Sequence, residues 1–343
     1  MTDTIVVTGA GGVGKTTLSA GIASHHASQG RRSLVLTIDP ARRLANALGL
    51  DHLGSDPEPV QDDERLHAAM LDVSASWEAI IHRYAQPEVA DRLMVNPYFR
   101  AIADRFPAAQ SFAAGERMAE YVESGRYDVV VVDTPPSGGG IDFYRAPAAT
   151  RDLISGKLLR LLTGSRVPGR SVLYRLTARP MLRLADDVLG GPMISDVADF
   201  LLHLRTMYDT LSVRARTIDR HLREATTFVV TTADPTPIHE TERFFRELDD
   251  VRIHPAAILF NRALPSRWVD DASAGGRGVR GPHRAELVAN LSDWAAEAHR
   301  QGDAASELEV RHGVPVHRIP WVTPAPTSLD DIAELIRSSG FDS

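Results

Sequence analysis

Short runs of β-branched and apolar residues recur along the chain, each stopping at a glycine, a proline or a polar residue. They fall at Thr4–Thr8, Ser33–Thr37, Leu66–Leu71, Asp128–Val132, Thr227–Thr231, Pro255–Phe260 and Val314–Ile319. Runs that are apolar on both faces predict strands covered by helices on either side, as in a parallel sheet. Amphipathic helical stretches lie between most of them. This alternation predicts an α/β fold, a doubly wound and mostly parallel sheet.

Two segments break the rhythm. From Phe143 to Glu224 apolar residues recur at helical spacing, first Leu153, Ile154, Leu158, Leu161 and Leu162, then Val197, Phe200, Leu201, Leu204, Tyr208 and Leu211. That spacing predicts a helical subdomain inserted into the α/β core. Its stripes either form core or line an open groove for an apolar client. The second break, Pro265 to His283, contains Gly275-Gly276-Arg277-Gly278-Val279-Arg280-Gly281 and suggests a mobile surface loop. Such a loop is either slack or an Arg-bearing lid over a phosphate or a partner. The expected organisation is therefore a core in two parts, residues 1–142 and 225–343, a helical subdomain at 143–224, and a mobile loop near 265–283. No internal repeat is present.

Composition narrows the classes. Across 343 residues, 43% are hydrophobic and 24% charged, which excludes a disordered, collagen-like or coiled-coil chain. With no cysteine, thiolate metal sites, disulfides and Cys nucleophiles are excluded. A formal charge of −7 disfavours nucleic acid as the main partner. No basic, apolar leader opens the chain, and no run approaches the ~18 apolar residues of a membrane span. A cytoplasmic location is the expectation.

The chemistry begins where the first run ends. Gly9-Ala10-Gly11-Gly12-Val13-Gly14-Lys15-Thr16 fits G-x-x-x-x-G-K-[ST], with a strand before it and a helical stretch, Thr17 to Ser28, after it. Glycines let successive backbone N–H groups turn towards phosphates, and the helix N-terminus adds its dipole. Lys15 is suited to the β- and γ-phosphates and the Thr16 hydroxyl to Mg²⁺. A Gly-rich turn explains the glycines but not the Lys-Thr pair, so the segment reads as a nucleotide site. Tyr127 to Asp133 is an apolar strand ending in a carboxylate, the second acid such a site needs for its metal. Asp39, in Thr37-Ile38-Asp39-Pro40-Ala41-Arg42-Arg43-Leu44, follows another strand run. It is suited either to orienting an attacking water or to capping a helix, and spacing does not choose.

Together these residues amount to a resemblance. Gly11–Thr17, Thr37–Ala41 and Asp133-Thr134-Pro135-Pro136-Ser137 are similar to the motifs of the ArsA-type ATPases. That family includes arsenite-pump subunits and the eukaryotic ATPase that targets tail-anchored membrane proteins. Leu34–Leu50 and Leu66–Asp72 resemble, closer still, the ArsA-like proteins of actinobacteria. The resemblance implies a Mg²⁺-ATP-dependent dimer. In it Gly11, Gly12, Val13, Gly14, Lys15, Thr16 and Thr17 hold the nucleotide, and Thr16 and Asp133 hold the metal. Asp39 matches the switch I aspartate that places the hydrolytic water. Asp133 and Thr134 to Gly138 match switch II. Asn261 matches the adenine-contacting Asn, and Pro320 and Trp321 stand where a second loop meets the base; without the family, Asn261 is a plausible turn residue.

The departures are informative. The position before the Gly-Gly pair, which in the family usually carries a lysine that reaches the partner's nucleotide, is Ala10. A cation supplied in trans can be worth roughly 10³–10⁵ in rate. The expectation is slow hydrolysis, another cation such as Arg42, Arg43 or Arg280, or a lysine-bearing partner subunit. Without cysteine, arsenite is excluded as a thiolate-bound substrate, as is a Cys-x-x-Cys zinc closure. Ser137-Gly138-Gly139-Gly140 is richer in glycine than the family's switch. Expected partners are ATP or ADP, a second or related ATPase chain, and an apolar client or membrane protein. A non-hydrolysing regulatory subunit and a partitioning or positioning ATPase are the alternatives.

Overall fold

The computed structural model describes residues 2–38, 43–60, 63–96, 99, 107–135, 138–155, 203, 206–324, 326 and 328–340. In chain order the strands are β1 (Asp3–Gly9), β2 (Ser33–Thr37), β3 (Glu58–Val60), β4 (Asp63–Met70), β5 (Val129–Asp133), β6 (Thr226–Thr231), β7 (Ala257–Ala263) and β8 (Val316–Pro320). The helices are α1 (Lys15–Ser28), α2 (Arg43–Leu48), α3 (Val73–Tyr84), α4 (Pro87–Val95), α5 (Pro107–Glu123) and α6 (Gly138–Ser155). They continue with α7 (Tyr208–Glu224), α8 (Pro235–Asp250), α9 (Arg267–Ser273), α10 (Arg284–His312) and α11 (Leu329–Ser338).

The chain divides into two compact units. The first comprises Met1–Met70, Tyr121–Ile141 and Glu224–Ser343. Its sheet runs β3-β4-β2-β5-β1-β6-β7-β8. Every pairing is parallel except that of β3 with β4. All five residues of β2, and all five of β5, are buried, which is why these strands read as unbroken apolar runs. α1 is buried nearly all round. α11 begins with a capping box, Ser328 Oγ accepting from the Asp331 N–H while Asp331 accepts from the Ser328 N–H. It then buries Leu329, Ile332, Ala333, Leu335 and Ile336, with Ile332 and Ile336 lying over Gly21 of α1.

Near the end of α1, His26 is almost fully buried, and Arg31 donates to its Nδ1 at 3.2 Å. Burial, helped by the Arg31 charge, lowers its pKa from 6.5 to about 4. The ring is neutral in the folded protein at ordinary pH.

The second unit, Leu71–Glu120 with Asp142–Arg223, is helical in its described residues. Trp77 stacks on Phe112 with centroids 5.7 Å apart, meets Phe99 edge-on, and donates its indole N–H to the Ala109 carbonyl. Buried Glu116 joins three helices. It accepts from the Tyr84 hydroxyl at 2.6 Å and receives Arg214 Nε at 3.0 and 2.9 Å on its two oxygens. Along α7, Leu211 of the predicted stripe is buried, as are Ala215, Ile218 and Leu222 beyond it, while Tyr208 of the stripe is half-buried. Leu158, Leu161, Leu162, Val197, Phe200, Leu201 and Leu204 lie outside the described residues, as do the side chains of Leu153 and Ile154.

The structure departs from the sequence-based organisation in three places. Residues 71–120, expected within the core, fold with the helical unit, because between β4 and β5 the chain makes α3, α4 and α5 before it returns to the sheet. β3 is an added edge strand of three residues containing Pro59, too short and too polar for periodicity to reveal. Within 265–283, where a mobile loop was expected, the chain forms α9 and closed turns. There the Gly276 N–H donates to the Asp271 carbonyl and Val279 N–H to the Gly276 carbonyl.

Candidate nucleotide site

Strand C-termini of the first unit carry the candidate residues, as the crevice rule for open α/β sheets requires. β1 ends at Gly9, where a Cβ would stand 2.2 Å from the Val230 carbonyl oxygen of β6. Only glycine lets the loop leave the sheet there. Val13 sinks into the core and anchors the loop from below. α1 then starts at Lys15 with Gly14 as its cap residue, and no side chain caps the first turn. The N–H groups of that turn are of the kind that bind an anion at a helix start.

Lys15 is 6% exposed, and its Nζ donates to the Ala10 carbonyl at 2.7 Å. The ammonium is thus folded over the loop that would hold phosphates. The Ala10 side chain, at the position where the resemblance leads one to expect lysine, is buried in the core.

Asp133 is fully buried at the end of β5. Its Oδ2 accepts from Thr16 Oγ1 at 2.8 Å and from Thr37 Oγ1 at 3.0 Å. Sheet register explains the second bond, since Thr37 of β2 and Val7 of β1 both stand level with Asp133. The same strand end is tied on both sides. Ile38 N–H donates to the Asp133 carbonyl at 3.0 Å, and Thr134 donates through N–H and Oγ1 to the Val7 carbonyl at 3.2 and 3.1 Å. Sequence reasoning passed over Thr37. The signal was available, a hydroxyl residue closing the strand that leads into Asp39.

Mg²⁺ fits this donor set. The ion keeps several waters and typically takes only one or two protein oxygens besides phosphate. One hydroxyl and one carboxylate in direct contact meet that need. No cluster of three or more His, Asp or Glu occurs among the described residues.

On the other side of the loop, Asn261 is 8% exposed and donates Nδ2–H to the Val13 carbonyl at 2.7 Å. Its Oδ1 accepts from the Arg262 N–H at 2.9 Å. Pro320 ends β8 level with Ala263, and the Trp321 N–H donates to the Ala263 carbonyl at 2.8 Å. Trp321 is 41% exposed and meets Trp268 edge-on. The fold therefore brings Gly11 to Thr17, Asp133 and Asn261 together, with Pro320 and Trp321 beside the strand end that carries Asn261. Asp39, Arg42, Pro136 and Ser137 lie outside the described residues.

The model of one protein family, the anion-transporting ATPases, matches residues 2–275. The chain belongs to that family. It is an ATPase, and nucleotide binding belongs to its family activity. It is 28% identical to the ATPase get3 of Aspergillus terreus, over 76% of this chain and 73% of that one. It is 27% identical to the ATPase GET3 of Rhodotorula glutinis, over 76% and 70% of the two chains. The corresponding figures for the ATPase GET3 of Mycosarcoma maydis are 28%, 76% and 72%. Lys15, Thr16, Asp133 and Asn261 fall inside the matched segment; Pro320 and Trp321 lie beyond it. No helix among the described residues is long and apolar enough to cross a membrane.

Proposed function

We propose that this chain is a Mg²⁺-dependent, dimeric ATPase whose nucleotide state reshapes a helical unit that acts on an apolar client, such as the membrane segment of another protein, in the cytosol. The observation that carries the reading is the contact of Thr16 and Thr37 with buried Asp133, one strand away from an uncapped, glycine-lined helix start. Gly11 to Gly14 and Thr17 cradle phosphates through the backbone, and Lys15 swings from the Ala10 carbonyl to the phosphate oxygens. Thr16 and Asp133 hold the metal, whose charge would neutralise that building up on the phosphoryl oxygens. Thr37 keeps Asp133 in place. Asp39 orients the attacking water, and Asn261, Pro320 and Trp321 meet the base.

Ala10 leaves the chain without a lysine to offer across a dimer. The reading therefore includes slow hydrolysis by the isolated chain and a lysine-bearing partner subunit that speeds it. A partitioning ATPase with an amphipathic membrane tail is less well supported, because the apolar face of α11 is buried on α1.

The test is the ATPase rate per chain of purified protein over a wide range of its own concentration. A low, flat rate alongside measurable ATP binding is expected. A rate that climbs with concentration would show a self-sufficient homodimer and end the partner-subunit proposal.

A further inference from the structure

The geometry points to Asn261 as a brace that sets the phosphate loop, beyond any contact it makes with the base. This rests on the nucleotide-site reading and adds a positioning role to it. The argument starts with the peptide unit between Val13 and Gly14. Peptide units are planar and trans, so the carbonyl of one residue and the N–H of the next point in opposite directions. Asn261 Nδ2 holds the Val13 carbonyl at 2.7 Å from one side. The Gly14 N–H is therefore aimed to the other side, away from Asn261 and into the loop. One donor of the phosphate cradle has its direction fixed by a side chain 248 positions away in sequence.

The brace is itself held. An Asn amide has a donor end and an acceptor end, and here each has a partner that admits only one orientation: a carbonyl at Nδ2 and an N–H at Oδ1. The strand carries a matching irregularity. Phe260 pairs with Arg318 and Ala263 with Pro320, so β7 has one residue more than β8 across this interval, a bulge. Arg262 takes φ +59° inside it, in a region disfavoured for residues with a Cβ. The bulge turns Asn261 towards the loop. Gly14 has accommodated this closeness. With φ +97°, a Cβ there would lie 2.3 Å from Asn261 Nδ2. The last glycine of the motif is thus required both by its backbone conformation and by the brace.

A residue that only touches adenine and one that shapes the loop differ towards a ligand without a base. Binding of Mg-ATP and of Mg²⁺ with inorganic tripolyphosphate, each measured by calorimetry on the full chain, separates them. In Asn261→Leu, close in shape but unable to donate, both affinities are expected to fall by a similar factor, roughly tenfold or more, for the loss of a buried hydrogen bond. The melting temperature should stay well above that of the assay. If the leucine variant does not fold, Asn261→Ala carries the same expectation. Loss of ATP affinity alone would overturn the brace and leave a base contact; unchanged affinity for both would overturn it too. Wild-type protein that bound ATP but not tripolyphosphate would also overturn it, since a preset loop needs no base. Wild-type protein that bound neither would remove the nucleotide-site reading and the brace with it.

Discussion

Among the described residues two carboxylates are buried, with opposite surroundings. Asp133, in the sheet unit, receives two threonine hydroxyls on Oδ2. Glu116, in the helical unit, receives a guanidinium on both oxygens and a phenol on one. A hydroxyl that donates still presents lone pairs, whereas a guanidinium has none to offer. The first arrangement can admit a cation next to the hydroxyl; the second is already supplied with one. Burial alone says little about a carboxylate's role. The chemistry of its donors separates a site from a strut.

Substitutions can break this comparison in opposite directions. The largest effect is expected at Lys15→Ala, which should abolish measurable ATP binding while leaving the melting temperature within a few degrees of wild type. Retained affinity in a titration would remove Lys15 from the site. Glu116→Ala should do the reverse. Removing one partner of a buried ion pair costs about 3 kcal/mol or more, so thermal or urea unfolding shifts strongly while ATP affinity at low temperature is kept. An equal loss of binding would mean that the strut also serves the site.

Acid gives the smallest contrast. The folded-state pKa of His26 lies below the ordinary value, so the unfolded chain binds more protons between pH 6.5 and about 4. Its contribution to stability is complete above pH 6.5 and is lost as the pH falls through that window. The expected loss is on the order of 1–2 kcal/mol, less than the full shift implies because water reaches the helix end once the ring is charged. His26→Gln should flatten the melting-temperature profile over that range; an unchanged slope would place the acid sensitivity elsewhere.

What could be read from the sequence followed the range of the interactions. β1, β2, β4, β5, β6, β7 and β8 were legible because each is a local apolar run, and Lys15 and Thr16 because the motif is contiguous. Thr37 was not singled out, since its meaning depends on register with Asp133 across a strand boundary. The Tyr84, Glu116 and Arg214 cluster was invisible for the same reason, its members lying on three separate helices. Asn261 was legible only through resemblance, and its bond to Val13 follows from a bulge that no local pattern announces. Residues 71–120 were assigned to the core because helical periodicity reports a buried face without saying what covers it.

The strand order also has a consequence for the ribosome. β1 is made first but lies between β5 and β6, so its edges stay bare until Val129–Asp133 and then Thr226–Thr231 emerge. At about 5–20 residues per second, the interval from Gly9 to Thr226 lasts on the order of ten to forty seconds. During that time the nascent chain carries a strongly apolar strand with at least one edge unpaired. Folding of this ATPase is therefore gated by its own second half, and until that half arrives the protein is in the position of a client, in need of shelter for an exposed apolar segment.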